Sequence, residues 1–225
     1  MRTPFEADLH MHTTFSSDGH TEPREAVLTA LKVGLSAIAV TDHNRPAGSR
    51  EVARIARDRD LLVVPGSEVS SFNGHILALG MAEPVPRGLS ASETIQRIED
   101  HGGVPVAAHP GRFYTGLKLS EIRSNQFPAV EVANGGSSVR QNRLARKVAE
   151  GRGLAMTGGS DAHRPQDIGR CRTVFKNPPS SVEELLEEIR ARRTDGVGSG
   201  LSLGGQVSHD ASMFWRWLRR GGRRM

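Results

Sequence analysis

The chain of 225 residues contains a single cysteine, Cys171, which excludes an internal disulfide and any thiolate-bound metal. No apolar run approaches the twenty or so residues needed to cross a bilayer, so no transmembrane segment is expected. The opening residues, Met1 to Asp8, carry no apolar stretch of the kind a signal peptide needs, and a cytoplasmic location is the expectation. Fixed-period repeats and low-complexity blocks are missing too, the 25 glycines and 12 prolines being dispersed. No glycine-rich dinucleotide fingerprint follows the first apolar segment, which disfavours a Rossmann site. The body also has little net charge. Of the formal +5, the tail 205–225 supplies +4, through Arg216, Arg219, Arg220, Arg223 and Arg224 against Asp210. A nearly neutral body gives little reason to expect a nucleic-acid surface there.

What is present is an alternation of short apolar runs and amphipathic stretches, which defines an α/β protein. Strands are expected at 37–40, 61–64, 76–79, 104–108, 129–132 and 154–157. Helices are expected from Thr21-Glu22-Pro23 to Gly34, and over 47–59, 91–101, 138–150 and 182–193. Ser180-Ser181-Val182-Glu183 has the form of a capping box for the last of these. Such alternation implies a mainly parallel sheet with right-handed crossovers, either open or closed. About seven βα units in so short a chain favour a compact barrel. Residues 1–193 form the expected catalytic domain, and 194–225 a linker followed by a basic tail. The linker is Asp195-Gly196-Val197-Gly198-Ser199-Gly200; Phe214 to Arg220 could form an amphipathic basic helix, either docked on the body or facing lipid, nucleic acid or a partner.

The ligand-capable residues cluster where these strands end. In Asp8-Leu9-His10-Met11-His12, residues two apart on an extended chain face one side, so both imidazoles can reach one metal. Asp18 lies in a bend before Gly19; Thr41-Asp42-His43 ends one strand and Pro65-Gly66-Ser67-Glu68 follows another. His75, His109 and the pair Asp161 and His163 complete the set. The C-terminal ends of parallel strands are where α/β barrels place catalysis. One such histidine is ordinarily a core or surface residue, but several strand ends would each need a chance ligand. His20 and His209 fall outside the pattern and read as surface residues, and His101 as a cation at a helix C-terminus. Cys171 reads as a small packed residue, since no base is paired with it.

These motifs resemble the PHP (polymerase and histidinol phosphatase) family from residue 8 to about residue 193. The resemblance rests on D-L-H-M-H at 8–12, S-D-G at 17–19, T-D-H at 41–43, G-S-E at 66–68, G-H-I at 74–76, A-H-P-G at 108–111 and G-S-D-A-H at 159–163. It implies a distorted (β/α)7 barrel with up to three metal ions at its rim. By position, it carries the ligand role to His10, His12, Asp18, His43, Glu68, His75, His109, Asp161 and His163, with Glu68 bridging.

Imidazole with carboxylate suits Mn, Zn or Fe and disfavours calcium, so two or three such divalent ions are the expected cofactor. Adjacent divalent ions make hydroxide available near neutral pH, with Asp161 able to relay its proton. Arg112, three residues past His109, is a candidate phosphate clamp, and Asn134 a candidate substrate contact. The function expected is hydrolysis of a small phosphate ester or nucleotide. An amidase or lactonase, or a nuclease acting on nucleic-acid ends, remains open, with nucleic acid through the basic tail the less favoured partner.

Overall fold

The buried run Ala37 to Val40 forms β2 (Ala37–Val40) and pairs in parallel with β1 (Glu6–Met11) on one side and β3 (Leu62–Ser71) on the other. The computed structural model describes residues 4–201; the expected basic helix near Phe214 to Arg220, and His209, lie outside them. The remaining strands are β4 (Gly74–Leu79), β5 (Val104–Ala107), β6 (Ala129–Asn134), β7 (Ala155–Gly159), β8 (Cys171–Phe175) and β9 (Thr194–Gly198). They join one sheet in the order β7-β6-β5-β4-β3-β2-β1-β8-β9.

The expectation of a mainly parallel sheet is corrected here. β3–β4, β4–β5, β1–β8 and β8–β9 are antiparallel, while β1–β2, β2–β3, β5–β6 and β6–β7 are parallel. For β3 and β4 the cause is the two-residue hairpin at Phe72-Asn73, which leaves no room for a crossover helix between them. The strand expected at 61–64 also continues to Ser71, so Glu68 lies within β3 rather than after it. Residues 194–198, expected to begin a linker, form β9 instead, registered along the whole of β8.

The sheet curls until its ends nearly meet. Asp161 N donates to His10 O at 2.7 Å and His12 N to Ala162 O at 2.9 Å, tying the end of β7 to the end of β1. Lower down, Gly158 N donates to Thr173 Oγ1 at 2.8 Å. Gly159 makes this closure possible: a Cβ there would lie 2.4 Å from His10 Cβ and 2.6 Å from His10 N.

The helices are α1 (Pro23–Lys32), α2 (Ala47–Ala56), α3 (Ala91–Asp100), α4 (Leu119–Ser124), α5 (Val139–Arg152) and α6 (Val182–Arg190), with a 3₁₀ turn at Pro165–Asp167. Pro23 occupies the first turn of α1 as expected, but Glu22, not Thr21, is the N-cap, and it makes no side-chain cap. Ser181 caps α6 by accepting from Glu184 N. Three apolar clusters result. One packs Val27, Ala30 and Val52 of α1 and α2 on Ile38 and Val40. Another packs Ile95, Ile98 and Val148 of α3 and α5 on Ile76 and Val130. The third sets Leu185, Leu186 and Ile189 of α6 against Leu77, Leu79, Val104 and Ala155. Leu185 and Ile189 are fully buried, worth about 1.5–3 kcal/mol each, and they close the end of the barrel away from the histidines.

Candidate metal centre

Glu68 is the hub. Its Oε1 lies 2.7 Å from His75 Nδ1 and 2.7 Å from His109 Nε2. Its Oε2 lies 3.1 Å from His43 Nδ1, 3.4 Å from His12 Nε2 and 3.6 Å from His10 Nε2. Four elements deliver these rings. His10 and His12 stand at the end of β1, His43 just past β2, His75 on β4 and His109 just past β5. β4 runs antiparallel, so its first residues, not its last, reach this rim.

A second carboxylate, Asp161, sits just past β7. Its Oδ1 is 3.3 Å from His12 Nε2 and 3.5 Å from His10 Nε2, while its Oδ2 is bound by Arg112 Nη1. Asp18 completes the outer edge, 3.6 Å from His43 Nε2 and 3.5 Å from His163 Nε2. The rings of His12 and His163 stack with centroids 4.3 Å apart. All nine residues expected as ligands are therefore brought together. His20 is exposed, and His101 caps the C-terminus of α3 with its ring 2.9 Å from Arg97 O.

Among the described residues, four overlapping sets offer three donor atoms within 4.8 Å of one another. These are His12, His43 and His163; His10, His12 and Glu68; His10, His109 and Asp161; and His43, Glu68 and His75. His10 Nε2, His12 Nε2, Asp18 Oδ1, His109 Nδ1 and both ring nitrogens of His43 are buried without a hydrogen bond. A buried polar atom left so costs about 1–3 kcal/mol. Five ring nitrogens and a carboxylate oxygen sharing this condition at one place fit divalent cations.

The electrostatics agree. Asp18, Glu68, Glu131 and Asp161 are buried here against the one guanidinium of Arg112. Burial pushes the Glu68 carboxyl up, but His75, His43 and His10 outweigh it and hold it well below the usual carboxylate range. Asp161 is likewise held low, with Arg112 and His10 overcoming burial. In return, burial lowers His43 but Glu68 and Asp18 raise it to about 10, so it recruits a proton to balance the carboxylates. Burial and the neighbouring His163 push His12 down to about 4. His109 and Asp161 also hold left-handed backbone, with φ of 29° and 53°, a strain of about 1–3 kcal/mol each that is characteristic of functional positions.

Sequence reasoning passed over the supporting residues. Glu131, central in β6, accepts from His109 N at 2.7 Å and from Asn134 Nδ2 at 3.0 Å, and its other oxygen lies 3.0 Å from His10 Nδ1. Asp42 accepts from Thr13 N and Ser16 Oγ, both at 2.8 Å, which anchors the loop carrying Asp18. Asp8 accepts from Ser160 N and Gly169 N, both at 2.8 Å, which anchors the segment around Asp161. Carboxylates inside apolar strands (Asp8, Glu131) or directly after one (Asp42) are the signal that could have found them, since such groups are almost never buried unpaired.

Asn134, expected to touch substrate, is fully buried beside the rim, where its Nδ2 donates to Glu131 and its Oδ1 accepts from Gly136 N, 2.9 Å away. Arg112 does reach the rim, its guanidinium bonded to Asp161 and, at 3.2 Å, to Gly136 O.

A near-closed α/β barrel with an imidazole and carboxylate rim is the framework of a metal-dependent hydrolase. Residues 139–194 match the model of the PHP-associated family. The chain is 30% identical over 225 aligned positions to the 5'-3' exoribonuclease Rnm of Salmonella typhimurium, covering 95% of this chain and 69% of that protein. It is 26% identical over 276 positions to the 3',5'-nucleoside bisphosphate phosphatase of Chromobacterium violaceum, covering 82% of this chain and 96% of that protein. A two-domain protein of Bacteroides vulgatus, described as containing a predicted PHP-like metal-dependent phosphoesterase, superposes with a TM-score of 0.74 at 23% identity. The overlap covers 88% of this chain but only 65% of that one, so the chain spans about two thirds of its length. The chain belongs to the PHP family of metal-dependent phosphoesterases.

Proposed function

We propose that this chain hydrolyses the phosphate ester of a nucleotide or of another small phosphorylated compound, using two or three Mn, Zn or Fe ions held by the nine rim residues. The observation that carries this reading is Glu68, whose two oxygens face separate groups of histidines, the arrangement a carboxylate needs to bridge cations. Bound divalent ions would supply Lewis-acid charge and lower the pKa of water. The protein's own groups do the rest. Arg112 sets its guanidinium beside Asp161, where it can share a phosphate oxygen as the substrate enters. Asp161, held ionised, accepts a hydrogen bond from the attacking water and orients it.

Cleavage of a phosphate ester rather than an amide or lactone is supported by Arg112, since a buried cation beside the metal site matches a phosphate dianion. Two relatives whose names describe P–O cleavage support it as well. The exoribonuclease relative also favours a second substrate form, the terminal phosphodiester of a short nucleic acid. The unit that carries the activity is the body of the chain, with β9 included.

The test is metal analysis of the purified protein, paired with phosphate release from nucleoside monophosphates and bisphosphates and from short oligonucleotides, under Mn, Zn and Fe. His10→Ala and Asp161→Ala variants run in parallel. Two to three metals per chain and release abolished in both variants are expected. Bound metal with no P–O cleavage in any substrate would overturn the phosphoesterase reading and turn attention to amides and lactones.

A further inference from the structure

Among the described residues, the aromatic side chains divide sharply. Phe127 and Phe175 are buried in the core, and Phe5 packs edge-on against Phe175. Phe15, Phe72, Phe113 and Tyr114 are instead exposed, with Phe72 and Phe113 at 74% and 68%. Each of these four lies within five residues of a rim ligand: Phe15 between His12 and Asp18, Phe72 between Glu68 and His75, and Phe113 and Tyr114 after His109. Exposed apolar rings in the segments that carry the rim ligands mark a surface with a binding task.

The loop that carries Phe113 is built rigidly. Gly111 N donates to Leu117 O at 2.8 Å, Gly116 N to Arg112 O at 3.2 Å and Thr115 N to Phe113 O at 3.0 Å, so the loop closes on itself. Gln141 Nε2 of α5 ties it down at Gly111 O, 2.9 Å away, and His75 N donates to Thr115 O at 2.9 Å. Gly116 is indispensable, because a Cβ there would lie 2.4 Å from His109 O and 2.6 Å from Arg112 N. Tyr114 holds a left-handed φ of 69°, a conformation that disfavours any residue with a Cβ. The outcome is that Phe113 and Tyr114 stand together at the tip, ring centroids 4.1 Å apart. Phe113 adjoins Arg112, so its Cα is one peptide, about 3.8 Å, from that of the phosphate clamp. The hairpin bearing Phe72 packs on the same loop, since a Cβ on Gly74 would lie 2.7 Å from Leu117 N.

We propose that this loop presents Phe113, flanked by Tyr114 and Phe72, as a stacking surface for the base of a nucleotide whose phosphate lies at the metal centre. The inference rests on the phosphoesterase reading above. A base is the ligand that fits, because a nucleotide carries its flat aromatic face one sugar away from its phosphate. Here an exposed aromatic residue directly follows, in the loop that leaves the rim, the buried cation that would receive that phosphate. Stacking tolerates any base, so the surface selects nucleotides over plain sugar phosphates without reading sequence.

The experiment compares two ligands on the metal-loaded full chain by calorimetry: adenosine 5'-phosphorothioate and ribose 5-phosphorothioate, which lacks the base, both chosen for slow turnover. The wild-type protein is expected to bind the nucleotide more tightly. The ratio of the two dissociation constants should fall by about 5- to 150-fold in Phe113→Ala, the range expected for one stacked base. Phe113→Trp should keep or raise it. A wild-type ratio near one, an unchanged ratio in Phe113→Ala, or no binding of either ligand overturns the inference. Equal weakening for both ligands in Phe113→Ala also overturns it, since the loop would then act only by positioning Arg112. Binding is read without turnover, so the outcome is independent of whether phosphate release is found.

Discussion

Replacing Glu131 with Gln keeps the size of the side chain and should nonetheless weaken metal binding, for a reason that can be followed atom by atom. Oε2 accepts from two donors, His109 N at 2.7 Å and Asn134 Nδ2 at 3.0 Å, so the amide oxygen of a glutamine must take that place. The reverse orientation would set an NH2 against two N–H groups and leave buried donors unpaired, at about 1–3 kcal/mol each. The amide NH2 therefore faces His10 Nδ1, where Glu131 Oε1 now lies at 3.0 Å. His10 can meet a donor only through a lone pair on Nδ1, which moves its proton to Nε2. Nε2 is the atom aimed at Glu68 and Asp161, and a protonated nitrogen cannot ligate. Loss of a partner of this kind typically weakens metal affinity 10- to 100-fold, or about 1.4–2.7 kcal/mol. At a fixed saturating metal concentration, the same amount is lost from the metal-dependent stabilisation. With about 2–4 °C per kcal/mol for a chain of this size, the metal-induced rise in Tm should shrink by about 3–11 °C. Chelator competition gives the affinity and differential scanning calorimetry the Tm, each with and without Mn. Wild-type affinity and an unchanged metal-induced Tm shift in Glu131→Gln would refute the tautomer argument, and with it the role given to Glu131.

Further outcomes follow from the same geometry. Gly159→Ala should force β7 away from His10, destabilising the fold by about 1–3 kcal/mol or more, as overpacking does, and lowering metal content; an unchanged Tm by calorimetry would refute the close approach. Because Glu68 and Asp18 hold His43 up at about 10 despite burial, it is protonated at neutral pH without metal, so binding should release protons and affinity should rise with pH towards 10. Calorimetry in buffers of different ionisation enthalpy reads this, and no proton release would count against it. The same shift gives the metal-free fold a stabilising contribution that is complete below about 6.5 and fades as pH rises through 10. The Cys171 thiol is pushed up to about 12 by burial, with Glu131 and Asp8 adding to the effect. It should therefore resist thiol-reactive dyes at pH 8 until the protein is unfolded, and rapid labelling of the native protein would contradict its placement.

The parts of this molecule that local chemistry determines could be read from the chain, and the parts that closure determines could not. Strands β2, β5 and β7 declare themselves as apolar runs, and the residues that follow them, His43, His109 and Asp161, fall where such strands end. β9 does not, because Thr194 to Gly198 has the composition of a turn. It becomes a strand only by pairing with β8, and Gly196 is small because Thr157 O would lie 2.3 Å from a Cβ there. β4 reads as a short strand whose direction is set by the hairpin before it, which is how His75 reaches the rim from the opposite end.

The same division runs through the site. A histidine pair two residues apart states its purpose locally, whereas Glu131 acquires one only when the barrel brings a residue 121 positions earlier within 3.0 Å. Asn134 shows the converse. Its position after a strand suggested a contact with substrate, whereas the bond its amide donates to Glu131 could not be read from that position. In a closed barrel the rim can be populated from strand ends alone, but the groups that orient the rim lie one layer deeper, where partners are chosen by the fold. A mutational survey confined to the nine rim residues would therefore map which groups hold metal and miss which groups decide the tautomer in which His10 is presented.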